Sequence, residues 1–390
     1  MTPHVDRSRS RLSGTIEALW YGRPSEPSST PRSVAANNPS RGLLRLLSLP
    51  GLLFLVLLPW TILTALISGR RFDQIQTAKK ARRENRACID HSALIAAPAP
   101  PPIVVVGNLV AGGTGKTPIV IAIARELRAR GWQTGLIARG AGASLAANDA
   151  QAFLIPPDYR IAGDEAALMA RHAACPIAIG RRRAQALQSL LVAAPTTEII
   201  ISDDGLQHRG LPRDLEFIVF DQRGLGNGHL LPAGPLRESP INGLQSDAVL
   251  LRDGAPDPIG HPTRFGITTR VLGWWSLSAP DRLLSDAELL EWTRGQRTVA
   301  VTGIARPERF FDRLRGIGLQ FKAIGLADHA PIDLVWLRDL PADCILMTEK
   351  DAVKCDQSAD PRIRVLRIEA VIPPSLIDFI EERLFGRPTA

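Results

Sequence analysis

The chain opens with some 45 mostly polar residues and then turns apolar. From Leu46 to Ile67 no charged residue appears, and Leu, Ile and Val dominate. A run of about 22 residues is long enough to cross a bilayer core as a helix. Pro50, Gly51 and Pro59 interrupt it, which suits an in-plane or partly inserted segment as well as a span. A signal peptide fits poorly because the polar stretch comes first. A buried soluble helix fits poorly because the run is apolar on every side. Arg41 and Arg45 precede the run, and Arg70, Arg71, Lys79 and Lys80 follow it. Symmetric basic flanks leave the positive-inside rule nothing to decide with. They suit a segment dipping into one anionic leaflet. The pattern therefore predicts a polar, basic leader over 1–45 and a membrane-associated hydrophobic helix over 46–68. A basic, Pro-rich linker over 69–102 is expected next. Within the leader, residues 23–41 have a linker composition rich in Pro, Ser and Asn.

After Pro102 the pattern changes to short β-branched runs alternating with helical stretches. Ile103–Val106 reads as a buried strand, and Pro118–Arg130 as a helix with proline tolerated in its first turn. Thr134–Ala138, Pro176–Ile179, Glu198–Ser202 and Leu215–Asp221 read as further strands, with helices at Glu165–His172 and Arg181–Val192 between them. This alternation predicts an α/β fold with a mainly parallel sheet and helices on both faces. The length of 390 residues leaves room for a second domain. The expected division is 103–245 for the first and 246–390 for a smaller second α/β domain.

Charge narrows the partners. Lys and Arg number 47 against 39 Asp and Glu, a formal net charge of +8. Such a balance favours an acidic membrane surface or a phosphorylated substrate. Aromatic residues make up only 5% of the chain and do not interleave with a basic stripe, which argues against nucleic acid. The four cysteines, Cys88, Cys175, Cys344 and Cys355, show no CxxC spacing and give neither a metal framework nor a disulfide framework.

The strongest chemical signal follows the first strand: Gly107-Asn108-Leu109-Val110-Ala111-Gly112-Gly113-Thr114-Gly115-Lys116-Thr117. Strand, glycine-rich loop and helix in that order are what a P-loop requires. Backbone N–H groups of such a loop turn onto phosphate oxygens, and the helix N-terminus adds partial positive charge. Gly112, Gly113, Thr114 and Gly115 would cradle the phosphates of ATP. Lys116 would reach the β- and γ-phosphates, and Thr117 would ligate Mg²⁺. Val110 stands where the usual pattern has glycine. The run Ile199-Ile200-Ile201-Ser202 ends in Asp203-Asp204, and a carboxylate at a buried strand end can hold Mg²⁺ opposite the loop. Paired aspartates also form turns.

Several further stretches belong to no generic nucleotide-binding pattern: Gly163-Asp164-Glu165, Asp203-Asp204-Gly205-Leu206-Gln207-His208, Gly226-Asn227-Gly228 and Leu231-Pro232-Ala233-Gly234-Pro235-Leu236-Arg237-Glu238. Thr302 to Phe310 (TGIARPERF), Asp328-His329 and Thr348-Glu349-Lys350-Asp351 come later. Together with VGNLVAGGTGKTP and the early IEALWYG, they resemble the tetraacyldisaccharide 4′-kinase family over about Ile16 to Phe385. Two features depart from the family pattern. Ala141 follows Arg139-Gly140 where a Tyr is usual, and the stretches 23–41 and 72–100 are longer.

The resemblance implies two α/β domains with a cleft between them and an N-terminal helix that meets the membrane. It implies ATP and Mg²⁺ as cofactors and an acylated glucosamine disaccharide 1-phosphate as acceptor. It also implies catalysis at the cytoplasmic face of the inner membrane; a monomer is the expected state. Asp164 resembles the family's catalytic base, and His329 the histidine that orients or tunes it. Asn108, Asp203, Asp204, Gln207, His208, Arg237 and Glu238 resemble residues shaping the Mg-ATP and acceptor site. Taken alone, each has a plainer reading: Asp164 as a helix N-cap, His329 as a surface residue, Arg237 and Glu238 as an exposed pair. The Thr348–Asp351 stretch reads as either structural or nucleotide-adjacent. Two rival functions are a membrane-associated P-loop ATPase or GTPase switch and a membrane anchor with a vestigial P-loop. Thr348-Glu349-Lys350-Asp351 has the wrong order for a guanine reader, and Lys116, Thr117, Asp203 and Asp204 are intact.

Overall fold

The β-branched runs form strands that bury both faces. In β1 (Ile103–Gly107), Val104 and Val106 face one apolar core while Ile103 and Val105 face another. The same alternation runs through β2 (Thr134–Ala138), β4 (Ile177–Gly180), β5 (Ile199–Asp203) and β6 (Leu215–Phe220). Strands covered on two sides need continuous apolar sequence, and helices supply the cover. The computed structural model describes residues 16, 20–21, 49–87, 100–146, 149–208, 210–355 and 360–386. The expected leader over 1–45 lies outside these, save Ile16, Trp20 and Tyr21.

The remaining strands are β3 (Ala150–Phe153), β7 (Ala248–Arg252), β8 (Arg264–Ser276), β9 (Ala279–Leu284), β10 (Thr298–Thr302), β11 (Lys322–Gly325), β12 (Cys344–Thr348) and β13 (Ile363–Val371). Their order in one sheet is β11-β10-β12-β13-β8-β7-β6-β1-β5-β2-β4-β3, with β9 paired to β8. Neighbours run parallel except β3 with β4, β13 with β8 and β9 with β8. The helices used below are α1 (Leu49–Ala87), α2 (Lys116–Ala129), α3 (Asp164–Ala173), α4 (Arg183–Ala193), α5 (Pro307–Gly316), α6 (Glu349–Ala352) and α7 (Pro374–Phe385). Helices α2, α3 and α7 cover one face of the first half of the sheet, and α4 covers the other.

The two halves share a strand. Residues 264–267 of β8 pair parallel with β7, and its later residues pair antiparallel with β13. Strand β7 lies beyond the expected boundary at 245/246, yet it pairs with β6 in the first half. Helix α7, last in sequence, also returns to the first half, where Leu376, Ile377 and Ile380 are buried. Around the sheet's other half lie two smaller cores, one holding Val299, Ile345 and Met347, the other Trp274, Phe310 and Phe311.

The N-terminal helix is present, with bounds that differ from the expected ones. Among the described residues no helix is long and apolar enough to cross a membrane. From Leu49 onward the apolar run and the first part of the supposed linker form one 39-residue helix, α1, which continues to Ala87. Its basic second half docks on the body. Lys79 Nζ lies 3.1 Å from Glu216 Oε2 with both side chains buried, and also pairs with Asp247. Arg82 donates to both carboxylate oxygens of Asp214 at 3.0 Å. These partners sit at the N-terminal ends of β6 and β7, opposite the strand ends that carry the site.

Candidate functional site: a phosphate loop facing a second lobe

Strand β1 is flanked by β5 on one side and β6 on the other, so the strand order reverses there. Open α/β sheets bind ligands at the carboxyl ends of strands beside such a reversal. The glycine-rich loop leaves β1 at this point and enters α2 directly at Lys116. Gly112 and Gly115 take φ of +87° and +78°, a region that side chains rarely adopt.

The first half of the loop is strapped to the LPAGPLRE segment. Val110 bridges Leu236 in antiparallel fashion, Ala111 N donates to Pro235 O at 2.7 Å, and Arg237 N donates to Leu109 O at 2.7 Å. Val110 is buried in extended conformation, so the position needs no glycine. The pairing also delivers Arg237 to the site. Its Nη1 lies 3.1 Å from each oxygen of Asp204 and 3.3 Å from Gln207 Oε1.

Lys116 Nζ donates to Asn108 Oδ1 at 2.9 Å and lies 3.2 Å from Asp204 Oδ1. Burial alone would raise the Asp204 carboxyl, but Lys116 and Arg237 outweigh it and hold it well below the usual range. Asp203 is buried without a comparable partner. Burial is the main cause that pushes its carboxyl up to about 7, and its Oδ1 has no hydrogen bond. A buried carboxylate with an unpartnered oxygen suits a cation, and Asp203, Asp204 and Thr117 line the same cavity.

His329 reaches this site from the other lobe. Its Nδ1 lies 2.8 Å from Asp164 Oδ1. Lys350 Nζ approaches its Nε2 at 3.4 Å, and an ammonium can only donate. The ring proton is therefore assigned to Nδ1 and is given to Asp164. Asp164 begins α3 and accepts its neighbour's amide, Glu165 N, at 2.8 Å. Burial would raise its carboxyl, but the His329 hydrogen bond and the charges of Lys350 and Lys354 lower it to about 2. The hydrogen bond to Asp164 raises the His329 imidazole. Neither plainer reading of these two residues holds, since Gly163 is the N-cap and His329 is only 25% exposed.

A cavity of about 810 Å³ joins these parts. Gly112 to Thr117, Asp203, Asp204 and Arg237 line one side, and His329, Lys350, Arg306 and Arg309 line the other. Ala141 also lines it. Asn108, Gln207, His208 and Glu238 stand behind the wall. Gln207 Nε2 donates to Asn108 O at 3.4 Å, and burial raises the Glu238 carboxyl against hydrogen bonds from Gln207 and Asn242. Burial, with Arg183 nearby, lowers the His208 imidazole to about 4, so the ring is neutral. Sequence reasoning missed Arg223, whose Nη1 and Nη2 donate to the loop carbonyls Ala111 O at 3.2 Å and Gly113 O at 2.9 Å. It also missed Arg309, which lies within the distinctive TGIARPERF stretch.

The family of tetraacyldisaccharide-1-P 4′-kinases matches residues 72–385. A tetraacyldisaccharide 4′-kinase of Dechloromonas aromatica (strain RCB) is 39% identical over 297 residues, 75% of this chain and 86% of that protein. One of Bordetella parapertussis is 38% identical over 345 residues, 86% of this chain and 94% of that protein. In three dimensions the chain is similar to LpxK from Aquifex aeolicus, solved in complex with ATP. The TM-score is 0.65 at 22% identity, covering 85% of this chain and all of that one. Phosphate loop, cross-lobe cavity and matched length agree, and the chain belongs to the tetraacyldisaccharide-1-P 4′-kinase family.

Proposed function

We propose that this chain moves the γ-phosphoryl group of ATP onto the 4′-hydroxyl of a tetraacylated glucosamine disaccharide 1-phosphate, giving the lipid A precursor. The observation that carries the reading is the contact of His329 with Asp164 at the cavity that also holds the phosphate loop. A plain nucleotide switch has no use for a proton-accepting pair facing its phosphate site.

A sugar hydroxyl is a poor nucleophile near neutral pH, and a positioned base must take its proton as the bond to phosphorus forms. Asp164 and His329 act as that unit: Asp164, expected as the base, lies buried behind His329, so the imidazole faces the cavity while the carboxylate fixes the ring and stabilises its charged form. Lys116 and the loop amides bind the β- and γ-phosphates. Arg237, released from Asp204 as nucleotide enters, neutralises charge that develops on the transferring group. Thr117, Asp203 and Asp204 would hold Mg²⁺, which offsets phosphate charge when bound. Asn108, Gln207, His208 and Glu238 shape the site from behind. The second lobe covers the cavity and limits attack by water.

The acceptor's chains keep it at a bilayer, since exposing each CH₂ costs roughly 0.8 kcal/mol. Leu58, Trp60, Ile62, Leu63, Leu66 and Ile67 are exposed along α1 and would meet the inner-membrane surface from the cytoplasmic side.

The test mixes purified protein, Mg-ATP and the acylated disaccharide 1-phosphate in detergent and reads lipid mass. A gain of one phosphate, lost in Lys116→Ala, is expected. ATP consumed without lipid phosphorylation would move the assignment to an ATPase.

A further inference from the structure

We propose that Lys354 is a positioning residue for the Asp164–His329 pair, and that residues 348–354 hold both members of that pair from one short segment. The proposal rests on the reading that this pair serves the acceptor hydroxyl.

The segment leaves β12 as α6 and a following single turn, Val353–Cys355. Lys354 is buried, its side chain 1% exposed. Its Nζ lies 3.1 Å from Asp164 Oδ2 and 3.5 Å from Asp351 Oδ1. Taking an ammonium out of water is costly, and an apolar side chain of the same length would fill the space without that penalty. What the charge adds is a fixed orientation. It draws Oδ2 of Asp164 inward, which leaves Oδ1 turned to His329 Nδ1.

The same segment sets the histidine. Asp351 is fully buried, and its Oδ2 accepts from Thr302 Oγ1 and Thr348 Oγ1, each at 2.7 Å. Its Oδ1 accepts from Gly303 N at 3.0 Å. Gly303 O in turn accepts from His329 N at 3.1 Å. His329 has φ of +59°, a left-handed conformation that a non-glycine residue keeps only when its surroundings impose it. Asp351 thus fixes the turn that imposes it, while Lys354 fixes the carboxylate opposite.

The charges facing Asp164 divide by sign. Lys350, Lys354 and His329 favour its ionised form. Asp351 lies beyond Lys354, Glu165 follows on its own helix, and Asp328 pairs with His329 and Lys350. Lys350 belongs to the cavity wall, where it also meets Glu165 Oε1 at 3.0 Å. Lys354 is the cation on the interior side.

The test compares full-length Lys354→Met, Lys354→Arg and Asp164→Asn with the parent in the detergent assay. For Lys354→Met, kcat should fall by about tenfold or more while KM for ATP changes by less than about twofold. The acidic limb of its kcat profile should move to higher pH, because the buried carboxylate has lost a cation. Lys354→Arg should recover part of kcat and return the limb. An unchanged kcat and limb in Lys354→Met would overturn the proposal. So would a parallel loss of kcat, ATP affinity and melting temperature, which marks a purely structural residue. Should the Met variant not fold, Lys354→Gln is read by the same criteria. Turnover retained in Asp164→Asn would sink the reading of the pair itself. Turnover lost there but normal in Lys354→Met would sink only the role of Lys354.

Discussion

Arg309 Nη2 donates to Asp221 Oδ2 at 2.7 Å, joining the lobe that carries His329 to the end of the strand beside the phosphate loop. Asp221 is buried, and its Oδ1 accepts from Arg223 Nε at 2.9 Å. Arg223 then holds the loop carbonyls of Ala111 and Gly113. The loop's shape is therefore tied to contact between the lobes. The Asp221 carboxyl stays ionised because Arg223 and Arg309 outweigh its burial.

Asp221→Ala should loosen this tie. Charged hydrogen bonds contribute roughly 1.5–3 kcal/mol, so KM for ATP should rise about tenfold or more while kcat changes less. Steady-state kinetics with acceptor held saturating would check it. A KM matching the parent would show that the loop keeps its shape without Arg223.

The Asp164–His329 contact should appear in the pH dependence of stability. The imidazole is raised by its bond to Asp164, so its contribution is complete below the ordinary value of 6.5 and is lost as pH rises through the folded value. The carboxyl is lowered to about 2 from 3.8, so its contribution is complete above 3.8 and is lost as pH falls through about 2. The two windows overlap between about pH 4 and pH 6.5. His329→Gln should cost most melting temperature in that window and progressively less above it. A difference that stays constant from about pH 5 to about pH 9 would contradict the linkage.

The docking of α1 should depend on its buried charges. Lys79→Met leaves Glu216 and Asp247 short of a cation; Arg213 Nη1, 2.8 Å from Glu216 Oε1, still pairs with the first. Removing one member of a buried pair typically costs about 3–5 kcal/mol. Denaturant unfolding should show a loss of that order, reduced in Lys79→Met combined with Glu216→Gln. A loss below about 1 kcal/mol would place the pair among weak surface contacts.

Much of the site was written in consecutive residues. A β-branched run, glycines at 112 and 115, and Lys116 entering a helix specify strand, loop and helix through neighbours a few positions apart. Asp203 and Asp204 were legible for the same reason, as carboxylates ending a short apolar strand. The alternation of strands and helices predicted the parallel half of the sheet because period and burial are local signals.

What the sequence left open depends on residues far apart in the chain. His329 meets Asp164 across 165 positions, and only the family resemblance paired them, since no local pattern encodes that distance. Val110 stands in place of the usual glycine because it pairs with Leu236, far along the chain. The Thr348–Asp351 stretch has no local reading, because its Asp351 carboxylate holds Thr302 and Gly303. Helix α1 ran on past the apolar run because its basic half found acidic partners at the starts of β6 and β7. The sequence alone thus determined the phosphate chemistry, through local conformational preference. Tertiary packing decided which distant side chains complete it, because burying a charge is tolerable only where an opposite charge or a hydrogen bond awaits it.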